Sequence, residues 1–270
     1  MLTLLPPAHE IPLTRNARVI GEGSQAVVYA GANPHGDACN VAFKVPRIGS
    51  EKALKRELDA FKKLGGGHES VLRLLGTFKV GGGIGMILDL YETDLLNEID
   101  AYGPFSSQRT ASVTWHISSA LKFIHEKNLV ICDLKLENVL LRRSVEGDRI
   151  ALADLGLVHK VATDALAFTG TAAYMAPEAL ILGRAETSRD MWALGVTVFG
   201  LLTGLAPFGK GRLHETIASI KSDDVPMSSL PAGVSLDAKN LISRLLAKDP
   251  ADRPTATELL QNDPFVATSN

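Results

Sequence analysis

Ile131-Cys132-Asp133-Leu134-Lys135-Leu136-Glu137-Asn138, followed further on by Asp154-Leu155-Gly156, is the stretch that decides the reading of this chain. An acid, an amine and an amide at this spacing, then a second carboxylate before a glycine, form the polar set that phosphoryl transfer requires. One carboxylate accepts the proton of an attacking hydroxyl, and the lysine neutralises charge on the moving phosphoryl group. The amide and the second carboxylate hold Mg²⁺. Ile131 and Cys132 stand where a site of this kind usually carries His-Arg.

Upstream, Gly21-Glu22-Gly23-Ser24-Gln25-Ala26-Val27-Val28 is a glycine-poor relative of G-x-G-x-x-G. A dinucleotide-binding fold would begin a helix here, whereas Val27-Val28-Tyr29-Ala30 continues as a strand. The alternatives are a strand–turn–strand flap whose backbone N–H groups cover phosphates and a plain hairpin turn. Next comes Val41-Ala42-Phe43-Lys44. A lysine among inward-facing apolar residues snorkels outward when it is merely structural. Paired with Glu57, it becomes a fixed cation able to grip α- and β-phosphates. Each alone reads as a solvated surface charge, but the order of flap, strand lysine and helix glutamate favours the site.

The rest of the chain sets the frame. With 270 residues, 46% hydrophobic and 21% charged, it has the composition of an ordinary globular protein able to bury a core. A net charge of −2 gives no overall attraction to nucleic acid or membrane. The two cysteines, Cys39 and Cys132, lie far apart and read as reduced thiols of a cytoplasmic protein. The seven histidines form no metal-type spacing, so no zinc site is expected. Met1 to Pro7 lacks the basic start and cleavage site of a signal peptide. The run Met191–Phe208, broken by Gly195, Gly200 and Gly204, reads as a buried helix and not a membrane span.

Strand character dominates to about Leu90: Ala17–Gly21, Val27–Gly31, Asn40–Pro46, Val71–Val80 and Ile84–Leu90, the last two around Gly81-Gly82-Gly83. Lys52–Leu64 interrupts them with Leu54, Leu58, Phe61 and Leu64 on one helical face. Beyond Tyr91 the periodicity predicts helices over Ser107–Lys127, Ser235–Leu246 and Thr255–Gln261. The expected class is α+β, with a small sheet lobe carrying one main helix, a larger helical lobe, and a cleft between them.

These motifs, in this order, resemble a eukaryotic-type protein kinase of the serine/threonine type. The similarity runs over residues 13–266 (about 13–90 small lobe, 91–266 large lobe), with 1–12 as an extension. Ala176-Pro177-Glu178, Asp190-Met191-Trp192-Ala193-Leu194-Gly195 and Arg253 complete the set. The tail Leu245-Leu246-Ala247-Lys248-Asp249-Pro250 … Arg253-Pro254-Thr255-Ala256 is closest to the calmodulin-dependent-kinase-like branch. The resemblance implies ATP and Mg²⁺ as cofactors, Asp133 as catalytic base, Lys135 as phosphate-facing cation, and Asn138 and Asp154 as metal ligands. It implies nucleotide contacts from Ile20, Gly21, Glu22, Gly23, Ser24 and Lys44, the last held by Glu57. Adenine is expected between Val28 and Ala42 on one side and Leu140 on the other, bonded to backbone at Asp89 and Tyr91, with Leu88 guarding the back pocket. Asp94 is placed for the ribose, a helix cap being the equal alternative. Glu178 is expected to pair with Arg253, Asp190 to hold the backbone at Ile131 and Cys132, and Thr171 to bridge Asp133 and Lys135.

The departures bear on control. Cys132 replaces the arginine that grips an activation-loop phosphate, and Ala167 stands where the principal phospho-acceptor usually lies. Receptor and acceptor are missing together, so activity is expected without that phosphorylation, constitutive or under a regulatory protein partner. The rival is phosphorylation at Thr163 or Thr169 read by another cation. Ile131 and Leu155 join Phe61 and Leu74 in an expected apolar stack linking the lobes. Glu137 without an acid at Gly200 implies weak preference for basic peptides at most. The reading is therefore an ATP-dependent protein serine/threonine kinase with protein substrates and neither nucleic acid nor membrane insertion. A pseudokinase scaffold that binds nucleotide is the second reading, and a small-molecule or lipid kinase the third. Every group that performs the chemistry is present, which favours the first.

Overall fold

The computed structural model describes residues 9–10, 17–33, 40–65, 67–80, 83–162, 171–180, 185–209 and 211–267. Leu13, Cys39, Gly81, Gly82, Thr163, Ala167, Thr169 and Gly170 lie outside the described residues. The chain divides into two compact units, Met1–Tyr91 with Asp154–Gly156, and Glu92–Ala153 with Leu157–Asn270.

The first unit is built on strands β1 (His9–Glu10), β2 (Arg18–Glu22), β3 (Ala26–Ala32) and β4 (Asn40–Pro46), helix α1 (Glu51–Leu64), and strands β5 (Leu74–Val80) and β6 (Gly83–Asp89). They form one sheet in the order β1-β5-β6-β4-β3-β2, antiparallel except for β1 against β5. Side chains alternate across a strand, so β4 sends Val41 and Phe43 to one face and Ala42 and Lys44 to the other. The first face is a core of Val41, Phe43, Phe78 and Ile87, in which the Phe43 and Phe78 rings meet edge-on at 5.9 Å. Val28 and Met86 both stand opposite Lys44 in the ladder, and Leu88 opposite Ala42. α1 buries Leu54, Glu57, Leu58 and Leu64 along one stripe, as the i, i+3, i+4 spacing requires. It stops at Gly65, whose φ of 66° suits a residue without a side chain.

In the second unit β7 (Thr93–Asp94), β9 (Val139–Arg142) and β10 (Arg149–Leu152) form a small sheet, and β8 (Leu129–Val130) pairs with β11 (His159–Lys160). The helices are α2 (Leu95–Tyr102), α3 (Ser107–His125), α4 (Thr187–Thr203), α5 (Leu213–Ser222), α6 (Leu236–Leu245), α7 (Ala256–Asn262) and α8 (Pro264–Ala267). α3 packs against α4, α7, α8 and β10. No helix among the described residues is long and apolar enough to cross a membrane. The apolar run expected over Met191–Phe208 is helical from Thr187 and ends at Gly204, φ 71°. Arg189 and Asp190 are buried in its first turn, and Phe208 returns to stack on Trp192 at 5.4 Å.

Gly195 lets α4 approach α6 closely: a Cβ there would lie 2.8 Å from Leu245 Cβ and from Leu246 Cδ2. An exposed mid-helix Gly→Ala change gains about 1 kcal/mol, but overpacking a dense core costs about 1–3 kcal/mol. Gly195→Ala is therefore expected to destabilise, lowering Tm by a few degrees, about 2–4 °C for each kcal/mol lost. A rise in Tm would show that the two helices yield at this contact.

Candidate active site

In the first unit, Lys44 on β4 points its Nζ at Glu57 on α1, 2.8 Å from Oε1 and 2.6 Å from Oε2. Glu57 is only 2% exposed. Asp154 Oδ1 stands 3.6 Å from the same ammonium, and its side chain is 51% exposed. Burial alone would pull the Lys44 ammonium down, but the carboxylates of Glu57 and then Asp154 outweigh it and hold the group above its usual range. The result is a permanent cation, braced from a helix and from the Asp-Leu-Gly segment. Asp154 has a φ of 53°, a left-handed backbone that a short polar residue tolerates better than most. Leu155 beside it is fully buried.

The flap is the β2–β3 hairpin, closed by Gly23 N–H donating to Ala26 O at 2.9 Å. Ile20, Glu22, Gly23 and Ser24 are exposed, Gly21 and Val28 half-buried, and Ala42 buried. At the far end of β6, the Asp89 N–H donates to Arg73 O at 3.2 Å. The Asp89 carboxylate receives the Arg73 fork at 3.1 and 3.0 Å. Tyr91 closes the continuous part of this unit. Leu88 is 3% exposed and buried.

In the second unit, Asp133 is held on all sides. Its Oδ1 accepts from Thr171 N at 3.0 Å and Thr171 Oγ1 at 3.2 Å. Its Oδ2 lies 3.4 Å from Lys135 Nζ, and Asn138 Nδ2 donates to Oδ2 at 3.3 Å and to the Asp133 carbonyl at 2.8 Å. Lys135 Nζ donates in turn to Thr171 Oγ1 at 2.9 Å. The Asn138 amide nitrogen is thus committed to Asp133, which leaves Oδ1 as the atom able to meet a hard cation. Leu140, half-buried on β9, stands opposite Asp94 in the β7–β9 ladder. Asp94 caps α2, accepting from Asn97 N at 2.9 Å and also from Asn97 Nδ2.

Asp190, 1% exposed, explains how the loop before Asp133 is held. Its Oδ2 accepts from Ile131 N at 2.9 Å and its Oδ1 from Cys132 N at 3.0 Å. Cys132 takes φ 66°, a left-handed conformation that costs a side-chain-bearing residue about 1–2 kcal/mol, so the loop needs such an anchor. His125 Nε2, 2.9 Å from Asp190 Oδ2, gives this carboxylate a third partner that the sequence did not point to. The Cys132 side chain packs against the Val130–Ala185 cluster, and its thiol donates to Val130 O at 3.9 Å. Such contact stands where an arginine would make the charged grip on a loop phosphate. Arg253 receives Glu178 in a two-pronged pair at 2.7 and 2.9 Å. Burial, with the carboxylates of Glu137 and Asp133 beside it, pushes the Tyr174 phenol up to about 12.

His68, between α1 and β5, is expected to make the first unit acid-sensitive. Burial pulls its imidazole below its ordinary value of 6.5, Glu69 opposing, and its Nδ1 accepts the Ser70 N–H at 3.1 Å. The unfolded chain therefore binds this proton more readily than the folded one, and stability falls as pH drops below about 6.5 through the depressed folded value. His68→Gln is expected to flatten the decline in the urea midpoint between neutral and mildly acidic pH. An unchanged slope would place the acid sensitivity elsewhere.

Comparisons with known proteins bear on the family. A family model described as protein kinase domain matches residues 14–266. The chain is 33% identical to serine/threonine-protein kinase PKZ1 of Phytophthora infestans over 271 aligned residues, 90% of this chain and 68% of that protein. It is 32% identical to an Aurora kinase of Dictyostelium discoideum, over 80% of this chain and 54% of the relative. Against the calcium and calcium/calmodulin-dependent serine/threonine-protein kinase DMI-3 of Medicago truncatula it is 34% identical, over 74% and 39%. The chain thus spans about half the length of the Aurora relative and less of DMI-3. Motif order, side-chain geometry and a match across nearly its whole length together make this chain a member of the protein kinase domain family.

Proposed function

We propose that this protein transfers the γ-phosphoryl group of ATP to serine and threonine hydroxyls of protein substrates, without needing the usual activation-loop phosphorylation. The observation that carries the reading is the Asp133 carboxylate, fixed by Thr171, Lys135 and Asn138. Asp133 takes the proton of the attacking hydroxyl as the oxygen–phosphorus bond forms and ADP leaves with its β-phosphate oxygen. Lys135 compensates charge on the transferring group, and Lys44, kept cationic by Glu57, holds the α- and β-phosphates. The donor chemistry fits Mg²⁺, which takes one or two protein oxygens and fills its shell with phosphate and water. Asp154 offers a half-exposed carboxylate and Asn138 its Oδ1. When bound, the ion neutralises phosphate charge and leaving-group charge.

Ile20 to Ser24 and Val28 are assigned to the nucleotide, with Ala42 and Leu140 against adenine, the backbones of Asp89 and Tyr91 bonding its edge, and Asp94 near the ribose. The packing of Cys132 against Val130 and Ala185 supports control without a phosphate grip. The reduced-thiol composition supports a cytoplasmic setting, and regulation is assigned to a protein partner. Incubation with Mg·ATP and a mixed peptide library, with phosphosites identified by mass spectrometry, tests the reading: phosphoserine and phosphothreonine are expected, and phosphotyrosine alone would contradict it. The double variant Thr163→Ala/Thr169→Ala is expected to keep its activity, and a large loss would sink phosphorylation independence.

A further inference from the structure

We propose that Arg47, immediately after β4, is a positioning residue for the nucleotide phosphates because it fixes the orientation of the Gly23–Ser24 peptide. This rests on the reading of the flap as the phosphate cover. Arg47 Nε donates to Gly23 O at 2.8 Å, and its Nη2 to Glu22 Oε2 at 2.9 Å. The Arg47 backbone N–H donates to Gln25 O at 2.9 Å. One residue therefore reaches three residues of the turn, Glu22, Gly23 and Gln25.

Gly23 itself has no freedom left in its hydrogen bonds: its N–H goes to Ala26 O and its carbonyl to the guanidinium. The consequence follows from peptide planarity. In a trans peptide the carbonyl and the next N–H point in opposite directions, and no cis peptide occurs among the described residues. Turning the Gly23 carbonyl to Arg47 therefore aims the Ser24 N–H to the other side of the plane. A glycine can rotate through most of backbone space, so on the Gly23 side only the tether resists a flip of this plane. A flip would replace a donor by a carbonyl oxygen, and an oxygen repels a phosphate that an N–H attracts.

Glu22 orients the guanidinium within this tie. Lysine could supply the charge but not the two-pronged geometry. Both side chains of the ion pair are well exposed, 42% for Arg47 and 62% for Glu22. Exposed pairs contribute little to folding stability. The effect should therefore appear in phosphate recognition and not in Tm.

Arg47→Met, Arg47→Lys and Glu22→Ala are each compared with the wild type. The measurements are KM for ATP, kcat, ADP and adenosine affinity by calorimetry, and Tm. For Arg47→Met, KM for ATP and the ADP dissociation constant are expected to rise about tenfold, the value of one charge-assisted bond. Adenosine, which has no phosphate, should bind as before, kcat should fall far less than KM rises, and Tm should hold. Arg47→Lys should recover part of the loss, and Glu22→Ala should fall between wild type and Arg47→Met. Unchanged ADP binding in Arg47→Met, or equal losses for ADP and adenosine, would overturn the positioning role. A wild type that binds no ADP would instead remove the phosphate-binding reading of the flap, and the inference with it.

Discussion

Asp133→Asn is expected to lower phosphoryl transfer by about a hundredfold or more, the range of a positioned general base, while ATP should bind nearly as tightly as in the wild type. Asparagine has the same shape and still accepts at Oδ1 from Thr171, but its amide cannot take a proton from the substrate hydroxyl. It also turns a donor toward Lys135, which stands 3.4 Å from the native Oδ2. The loss should thus lie in kcat and not in KM, the pattern of an interaction made in the transition state. Steady-state kinetics with ATP varied at saturating protein substrate separates the two.

Lys44→Met should be costly in two ways. Activity should fall about a hundred- to a thousandfold, as when a preorganised electrostatic contact to a reacting group is removed. Stability should also fall, because Glu57 is 2% exposed and would be left as a buried carboxylate facing a thioether. Removing one partner of a buried pair costs about 3–5 kcal/mol; Lys44 is 16% exposed and Asp154 51%, so the lower end applies. The double variant Lys44→Met/Glu57→Leu removes the stranded charge and should regain much of the Tm with no activity. A Tm that stays low would mean that the pair braces α1 against β4 by geometry as well as charge.

Much of the fold was legible because its signals are local. The β-formers of Asn40–Pro46 and the Leu54, Leu58, Leu64 stripe placed β4 and α1 to within a residue. Other elements carried no periodic signal. β1 is two residues long and joins the sheet through long-range pairing with Phe78 and Lys79. α2 was hidden in the ambiguity of Asp94, whose part as a helix cap shows only in its bond from the Asn97 N–H. α4 starts earlier than its apolar run because Arg189 and Asp190, polar in sequence, are buried in its first turn.

The candidate site follows the same division. Asp133, Lys135 and Asn138 share one short motif, so their meeting was readable. His125 and Arg47 were missed because each acts on a partner far along the chain, Asp190 and the flap, through isolated long-range hydrogen bonds. Such bonds leave no pattern in spacing or composition. The departure at Cys132 was visible, but its packing against Val130 and Ala185 became evident only in three dimensions.

The central claim is that a chain lacking His-Arg before Asp133 still performs phosphoryl transfer. The direct measurement is the transfer of label from γ-³²P-ATP, with Mg²⁺ present or chelated, to a generic protein substrate by wild type and Asp133→Asn at equal nucleotide occupancy. The account predicts Mg²⁺-dependent label on serine and threonine from the wild type and almost none from the variant. Equal label from both, or nucleotide bound by the wild type with none of its label transferred, would contradict it.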